Sequence, residues 1–201
     1  IRALLEKTND IVVLGEAADG LEAIELATKL HPQVVVMDIS MPKLNGFEAT
    51  ARIHSLNLGC EVVVLSMHSQ KMIVQQALER GARGYLLKSA LEAELPVAIR
   101  AASQGETYLS PAIASVVLDD YLTSRSKPPE PNPLNTLTSR ERQLLQLIAE
   151  GRTNREMALI MDIAERTVEK HRANLMEKLE VHDVASMVRL AIKYGLISLD
   201  D

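Results

Sequence analysis

Four short apolar runs each give way to a loop, and three of them hand over directly to a reactive side chain. Asp38 follows Val34-Val35-Val36-Met37, Ser66 follows Val62-Val63-Val64-Leu65, and Lys88 follows Gly84-Tyr85-Leu86-Leu87. A carboxylate is a nucleophile toward a phosphoryl group. An ammonium pairs with the charge of the incoming phosphate, and a hydroxyl donates a hydrogen bond to it. Taken alone, Asp38 reads more readily as the cap of the loop Ile39-Ser40-Met41-Pro42, a common place for Asp. An acid, a hydroxyl and an amine at matching positions argue for chemistry instead.

The three groups meet only if the runs are neighbouring strands. The first run is Ile11-Val12-Val13-Leu14, and helical patterns follow the four runs at about residues 21–30, 47–56, 71–80 and 91–103. Apolar β-branched runs that alternate with amphipathic helices imply an α/β doubly wound parallel sheet, covered on both faces. Ligands in such folds bind at the carboxyl ends of the strands. "VVVMDISMPKLNGFE", "VVVLSMHS" and "GARGYLLKSA" together resemble the flavodoxin-like receiver domain of two-component response regulators, over residues 1–105. The resemblance implies Asp38 as the phosphoacceptor, Ser66 as the switch hydroxyl, Lys88 as the phosphate-pairing lysine and Tyr85 as the rotating aromatic. It also implies a sensor histidine kinase as the phosphoryl source. His68 lies close to Ser66 in sequence and reads either as an influence on phosphate lifetime or as an exposed loop histidine.

One departure bears on magnesium. Receivers begin with a central strand ending in two acidic residues that hold Mg²⁺. This chain begins Ile1-Arg2-Ala3-Leu4-Leu5, which reads as the end of the helix after that strand. The expectation is a chain short of roughly 15–20 residues, the length of one strand and most of a helix. Mg²⁺ is then expected only in the intact receiver. Here an incomplete site keeps Asp38 and the backbone carbonyl of Ser40, a poor match for an ion that wants octahedral oxygen ligands. Loss of a central strand also leaves a sheet edge without a partner.

The last third carries a different chemistry. Residues 165–181, ERTVEKHRANLMEKLEV, form a helix with Val168, Leu175 and Leu179 on one narrow arc and Arg166, Lys170, Ala173 and Glu177 opposite. A shorter helical pattern at residues 154–161 precedes it across a tight turn at 162–164. Such a pair is the layout of a helix-turn-helix DNA reader, or of two packed helices with a solvated outer face. Thr138 with Glu141 makes a capping box ahead of Leu144, Leu145, Leu147 and Ile148, and Gly151 ends that helix. Thr153 or Asn154 caps the next, and a fourth helix spans 183–194, stopped by Gly195. "LTSRERQLLQLIAEGRTNREMA" followed by "ERTVEKHRANLMEKL" resembles the LuxR-type output domain, an all-α four-helix unit at residues 137–201. With the receiver, this is the NarL/FixJ arrangement.

The resemblance implies sequence-specific binding to double-stranded DNA, controlled by phosphorylation of Asp38. Glu169, Lys170 and Ala173 fall near base edges, where Glu169 accepts from cytosine and Lys170 donates to guanine. Arg152, Arg155 and Arg166 fall on phosphates. Residues 134–201 hold ten Lys and Arg against eleven Asp and Glu, a net −1, so a local patch must supply the attraction. Weak single-domain binding favours a homodimer on inverted-repeat half-sites. In the family the recognition helix is masked until phosphorylation frees it. A second reading is a phosphorylation-independent regulator whose incomplete receiver serves only as a dimerisation module.

Residues 106–136 join the domains: a helical pattern near 111–122, then Ser-Arg-Ser-Lys-Pro-Pro-Glu-Pro-Asn-Pro, an extended semi-rigid spacer. An enzyme reading needs a glycine-rich phosphate loop or a second acid two residues after Asp38, and that residue is Ser40. Apolar residues make up 47% of the 201 but aromatics only 2%, so both cores rest on aliphatic side chains. Cys60 is the only cysteine, which excludes an intrachain disulfide and a zinc cluster. No run approaches membrane-spanning length, and the resemblance places the protein in a bacterial cytoplasm.

Overall fold

Alternation along the strands explains the first domain. In the computed structural model, which describes residues 1–123 and 132–197, three apolar runs become strands: β1 (Val34–Asp38), β2 (Glu61–Ser66) and β3 (Ala82–Leu87). Helices α1 (Arg2–Leu5), α2 (Gly20–Leu30), α3 (Gly46–Ser55), α4 (Lys71–Glu79) and α5 (Leu91–Ser103) surround them. The strands are parallel and lie in the order β1-β2-β3, with a short β4 (Tyr108–Leu109) beside β3. Val62, Val64 and Tyr85 point to the face covered by α2, α3 and α4, with Phe47, Ile53, Ile73 and Val74. Val63, Leu65 and Leu86 point to the opposite face, covered by α1 and α5 through Leu5, Leu95, Ala98 and Ile99. Side chains of period two thus build two cores from one sheet. Helix α6 (Pro111–Thr123) returns to the first face and buries Ile113 there.

Ile11-Val12-Val13-Leu14 departs from expectation. The segment is extended but joins no ladder, because β1 pairs with β2 on one side and carries no strand on the other among the described residues. Ile11 and Val13 pack against the second core, while Val12 and Leu14 are 79% and 54% exposed. A run of strand-forming residues becomes a strand only where a neighbour takes its backbone hydrogen bonds. Most of the proline-rich spacer, residues 124–131, lies outside the described residues.

The second domain is α7 (Ser139–Ala149), α8 (Asn154–Met161), α9 (Glu165–Lys178) and α10 (Val184–Lys193). Thr138 and Glu141 close one capping box and Thr153 and Glu156 a second, each satisfying orphan amides at a helix start. Asp162 adopts the left-handed conformation that lets the chain turn from α8 into α9. Leu144, Leu145, Val168, Leu175 and Met187 meet in one buried core. Helix α9 ends at Lys178 rather than at residue 181, and Leu179 caps it while staying buried.

Candidate functional site

Parallel register puts the three reactive side chains at one end of the sheet. Asp38 lies beside Leu65 in β1 and β2, and Ser66 beside Leu87 in β2 and β3. Each strand therefore releases its loop at the same level. Lys88 Nζ donates to Asp38 Oδ2 at 2.5 Å, with both side chains about one third exposed. The other carboxylate oxygen, Oδ1, accepts from the Ser40 backbone N–H at 3.1 Å. Asp38 therefore caps its loop and pairs with the lysine at once. Ser66 is buried, and its hydroxyl accepts from His68 N–H at 3.0 Å rather than engaging Asp38 or Lys88. Tyr85 is fully buried and its hydroxyl donates to the His68 carbonyl at 2.8 Å. Burial pushes its phenol up to about 12, opposed by a hydrogen bond with Ser66.

Gly46 holds the loop 39–45 close to the strand end. A Cβ on it would stand 2.0 Å from the Asp38 carbonyl oxygen. Its amide donates to Ile39 C=O at 2.9 Å, and Ile39 N–H donates to Leu65 C=O at 3.2 Å. Asn45 caps α3 by accepting from Glu48 N–H. Lys43 ties the same loop to Asp19, the cap of α2, at 2.6 Å. Among the described residues no three His, Cys, Asp or Glu side chains gather to hold a metal ion.

On the second domain Glu169, Lys170 and Ala173 are exposed along the outer face of α9, with Val168 and Leu175 buried behind them. The face that would read bases is therefore uncovered, contrary to the masking that the family resemblance implied. The first domain packs elsewhere, against α7 and the end of α10. The cationic patch is also partly committed. Arg172 donates to Asn154 Oδ1 at 2.6 Å, pinning α9 to the start of α8. Lys178 pairs with Glu141 at 2.9 Å and Arg152 with Glu150 at 3.4 Å. Arg155, Arg166 and Lys170 are exposed and form no ion pair among the described residues.

A polar cluster between the domains escaped the sequence reading. Glu48, fully buried in α3, accepts from Arg80 and from Arg142 of α7, the latter at 2.6 Å. Burial pulls the Arg142 guanidinium below its ordinary value, against the pull of Glu48. Gln143 accepts from Arg52 at 2.9 Å, and buried Gln146 accepts from Asn45 N–H at 2.7 Å and donates to Met41 C=O at 2.9 Å. One signal was available. Gln143 and Gln146 interrupt a helix whose leucines point in more than one direction, as in a helix buried on two sides.

The chain matches the family described as response regulator receiver domain over residues 1–100. It matches bacterial regulatory proteins of the luxR family over residues 135–191. It is 40% identical over 183 residues to the transcriptional regulatory protein LiaR of Bacillus subtilis (strain 168), spanning 91% of this chain and 85% of that protein. It is 36% identical over 181 residues to the nitrate/nitrite response regulator protein NarL of Escherichia coli (strain K12), spanning 90% and 83%. A crystal structure of a LuxR-family two-component response regulator from Aurantimonas sp. SI85-9A1 superimposes with a TM-score of 0.58 at 36% identity. That alignment covers 60% of this chain and 86% of the other. Receiver domains typically bind Mg²⁺ at the phosphorylation site, and control by a histidine kinase is typical of such proteins. Here the described residues bring one carboxylate, already bonded to Lys88 and Ser40, and do not by themselves fit an octahedral oxygen site. The chain belongs to the response regulators that join a receiver domain to a LuxR-type helix-turn-helix domain, and is a DNA-binding transcription regulator rather than an enzyme.

Proposed function

We propose that Asp38 is the phosphoacceptor of this regulator and that its phosphorylation by a partner histidine kinase sets the activity of the α8–α9 DNA reader. The contact between Lys88 Nζ and Asp38 Oδ2 carries the reading. An Asp38 oxygen attacks phosphorus, the bond to the donor breaks with its electron pair, and an acyl phosphate forms. Lys88 then moves from the carboxylate to the added phosphoryl oxygens, where its charge is worth more. Ser66 and Tyr85 are the responding groups. Each is engaged at His68, Ser66 with its amide and Tyr85 with its carbonyl. A rotation of Ser66 toward the phosphate gives up the His68 amide and leaves Tyr85 free to follow.

On DNA, α9 enters the major groove with Glu169, Lys170 and Ala173 at base edges. Arg152, Arg155 and Arg166 hold phosphates, Arg152 after giving up Glu150. Two copies bind an inverted repeat with half-sites about one helical turn apart. The partly exposed side of α10, where Val184 is 42% exposed, supplies the pairing face. No helix among the described residues is long and apolar enough to cross a membrane, which suits work at DNA in a cytoplasmic setting.

Incubation with acetyl phosphate, with and without Mg²⁺, tests the reading. Labelling lost in Asp38→Ala is the expected result, and labelling that survives it refutes the assignment. The alternative is a phosphorylation-independent regulator with the receiver as a dimerisation module. It predicts no labelling and unaltered DNA binding in Asp38→Ala.

A further inference from the structure

Where the two domains meet they leave a cleft of about 360 Å³. The receiver supplies Arg52 of α3 to it, and the output domain supplies Ser139, Arg140 and Gln143 of α7. All four side chains carry hydrogen-bond donors. Arg52 is half-buried and gives one hydrogen bond, from Nη2 to the Gln143 side-chain carbonyl at 2.9 Å, so much of its fork is unused. Gln143 is only 5% exposed, and its amide nitrogen makes no hydrogen bond among the described residues. The Ser139 hydroxyl and the Arg140 guanidinium make none either among those residues. Donors in such a place ask for an acceptor, because a buried polar group left unmet is costly.

The charges point the same way. Glu48 gives Oε1 to Arg80 and Arg142, whereas Arg52 and Arg140 form no ion pair among the described residues. Burial pulls the Arg52 guanidinium below its ordinary value, Glu48 raises it, and the like charge of Arg140 lowers it again. The two arginines therefore repel each other across the cleft. Asp162 of the α8–α9 turn also lines it, which leaves two positive charges against one negative. Leu21, Ile160 and Met161 make the rest of the wall apolar.

We propose that this cleft binds a small organic oxyanion, a phosphate monoester or a carboxylate on an apolar body, with Arg52 and Arg140 holding the charged end. A guanidinium fork matches two oxygens of either group. An anion between the arginines replaces their repulsion with two attractions. The Gln143 amide and the Ser139 hydroxyl meet its remaining lone pairs, and the apolar wall takes the body. The volume falls among those of small-molecule sites, about 300–1,000 Å³, so the cleft has room for more than an inorganic ion. It is separate from the end of the sheet, since none of its lining residues takes part in the bonds of Asp38, Lys88, Ser66 or Tyr85. Both domains form its walls, so it exists only in the full chain with the domains in contact.

Calorimetric titration of the full-length protein with inorganic phosphate, phenyl phosphate, benzoate and neutral benzamide tests the site. Expected is saturable one-to-one binding of phenyl phosphate or of benzoate, and the tighter of the two names the head group. Inorganic phosphate should bind more weakly and benzamide not at all. No saturable binding of either organic anion overturns the proposal, as does benzamide binding as well as they do. Arg140→Glu should weaken binding roughly tenfold or more, the loss of one charge-assisted hydrogen bond. An acid in the first turn of α7 suits the helix dipole, and circular dichroism checks that the fold is kept. Arg140→Ala, which adds no repulsion, should weaken binding in the same direction. Wild-type affinity in both Arg140 variants refutes the site. Lys7→Glu makes the same charge change as a lysine variant can at an exposed position after α1, and should bind as wild type. A loss there equal to that in Arg140→Glu would reduce the effect to overall charge and overturn the cleft. Asp38→Ala should also bind as wild type. If it abolished binding while Arg140→Glu did not, the probes would sit at the end of the sheet and the cleft would be refuted.

Discussion

Lys170→Ala separates base reading from phosphate attraction. Lys170 is exposed on α9 and forms no ion pair among the described residues, so its removal breaks no contact within the fold. Alanine is also the better helix former, and the helix stays anchored by buried Val168 and Leu175. Folding stability should therefore stay within about 0.5 kcal/mol of wild type. A lost base contact costs about 1–3 kcal/mol per half-site. A two-fold complex loses it twice, about 2–6 kcal/mol, and most of the loss falls on the preferred operator. Arg155→Ala and Arg166→Ala should behave differently. Each weakens binding to every sequence alike and lowers the slope of log affinity against log salt by about 1 per half-site, about 2 in the two-fold complex. Fluorescence anisotropy over a salt series, on a preferred operator and on one changed at the contacted base, resolves these patterns. If Lys170→Ala weakened both DNAs equally and flattened the salt slope, Lys170 would be a phosphate contact and the placement of α9 would be wrong.

Three further outcomes follow from the packing. Leu175→Ala should destabilise the output domain by about 2–5 kcal/mol, since it leaves a cavity beneath the recognition helix; a denaturant midpoint within error of wild type would refute the burial. Gly46→Ala should unseat the Asp38 loop, because its methyl group would collide with the Asp38 carbonyl; undiminished labelling of Asp38 together with wild-type stability would show that the close approach is not needed. Tyr85 gives a pH test: the unfolded phenol ionises near 10 and the folded one only at about 12, so stability is full below pH 10 and declines as pH rises through 12, eventually by roughly 3 kcal/mol. Urea midpoints between pH 8 and 11.5 should therefore fall faster in wild type than in Tyr85→Phe, and parallel curves would count against the buried phenol.

What the sequence made legible was local. Residues 34–37, 62–65 and 84–87 read as strands because each is an apolar run followed by an amphipathic helix, and each falls within β1, β2 or β3. The start of α7 read correctly because Thr138 stands three residues before a glutamate, and of the two caps left open for α8 the helix takes Thr153. Ile11–Leu14 has the same composition and forms no strand, since pairing depends on a neighbour that its own residues do not encode. Two-residue β4 is too short to show any period. Glu48 looks like an ordinary acid in a first helical turn, complementing the helix dipole. Its burial comes from Arg80, 32 residues away, and Arg142, 94 residues away. Cys60, half-buried ahead of β2, packs against the first core, and burial pushes its thiol up.

The faces of the output domain divide its work. Helix α7 and the end of α10 turn toward the receiver, while α9 turns outward, so the domain is docked with Glu169, Lys170 and Ala173 still exposed. Docking must then act by something other than covering Glu169, Lys170 and Ala173. Charge is the available agent. Residues 1–123 hold ten Lys and Arg against fifteen Asp and Glu, a net −5, and the output domain at −1 has little attraction to spare. A receiver clamped to α7 keeps that acidic body within reach of the DNA phosphates, and releasing it onto the spacer moves it away. The penalty works through space and fades over the Debye length of about 10 Å at 0.1 M salt. A variant opened at Gln146 should therefore gain affinity over wild type at low salt, and the advantage should shrink as salt rises. An advantage independent of salt would mean that docking restrains the geometry of two copies on DNA rather than repelling the duplex.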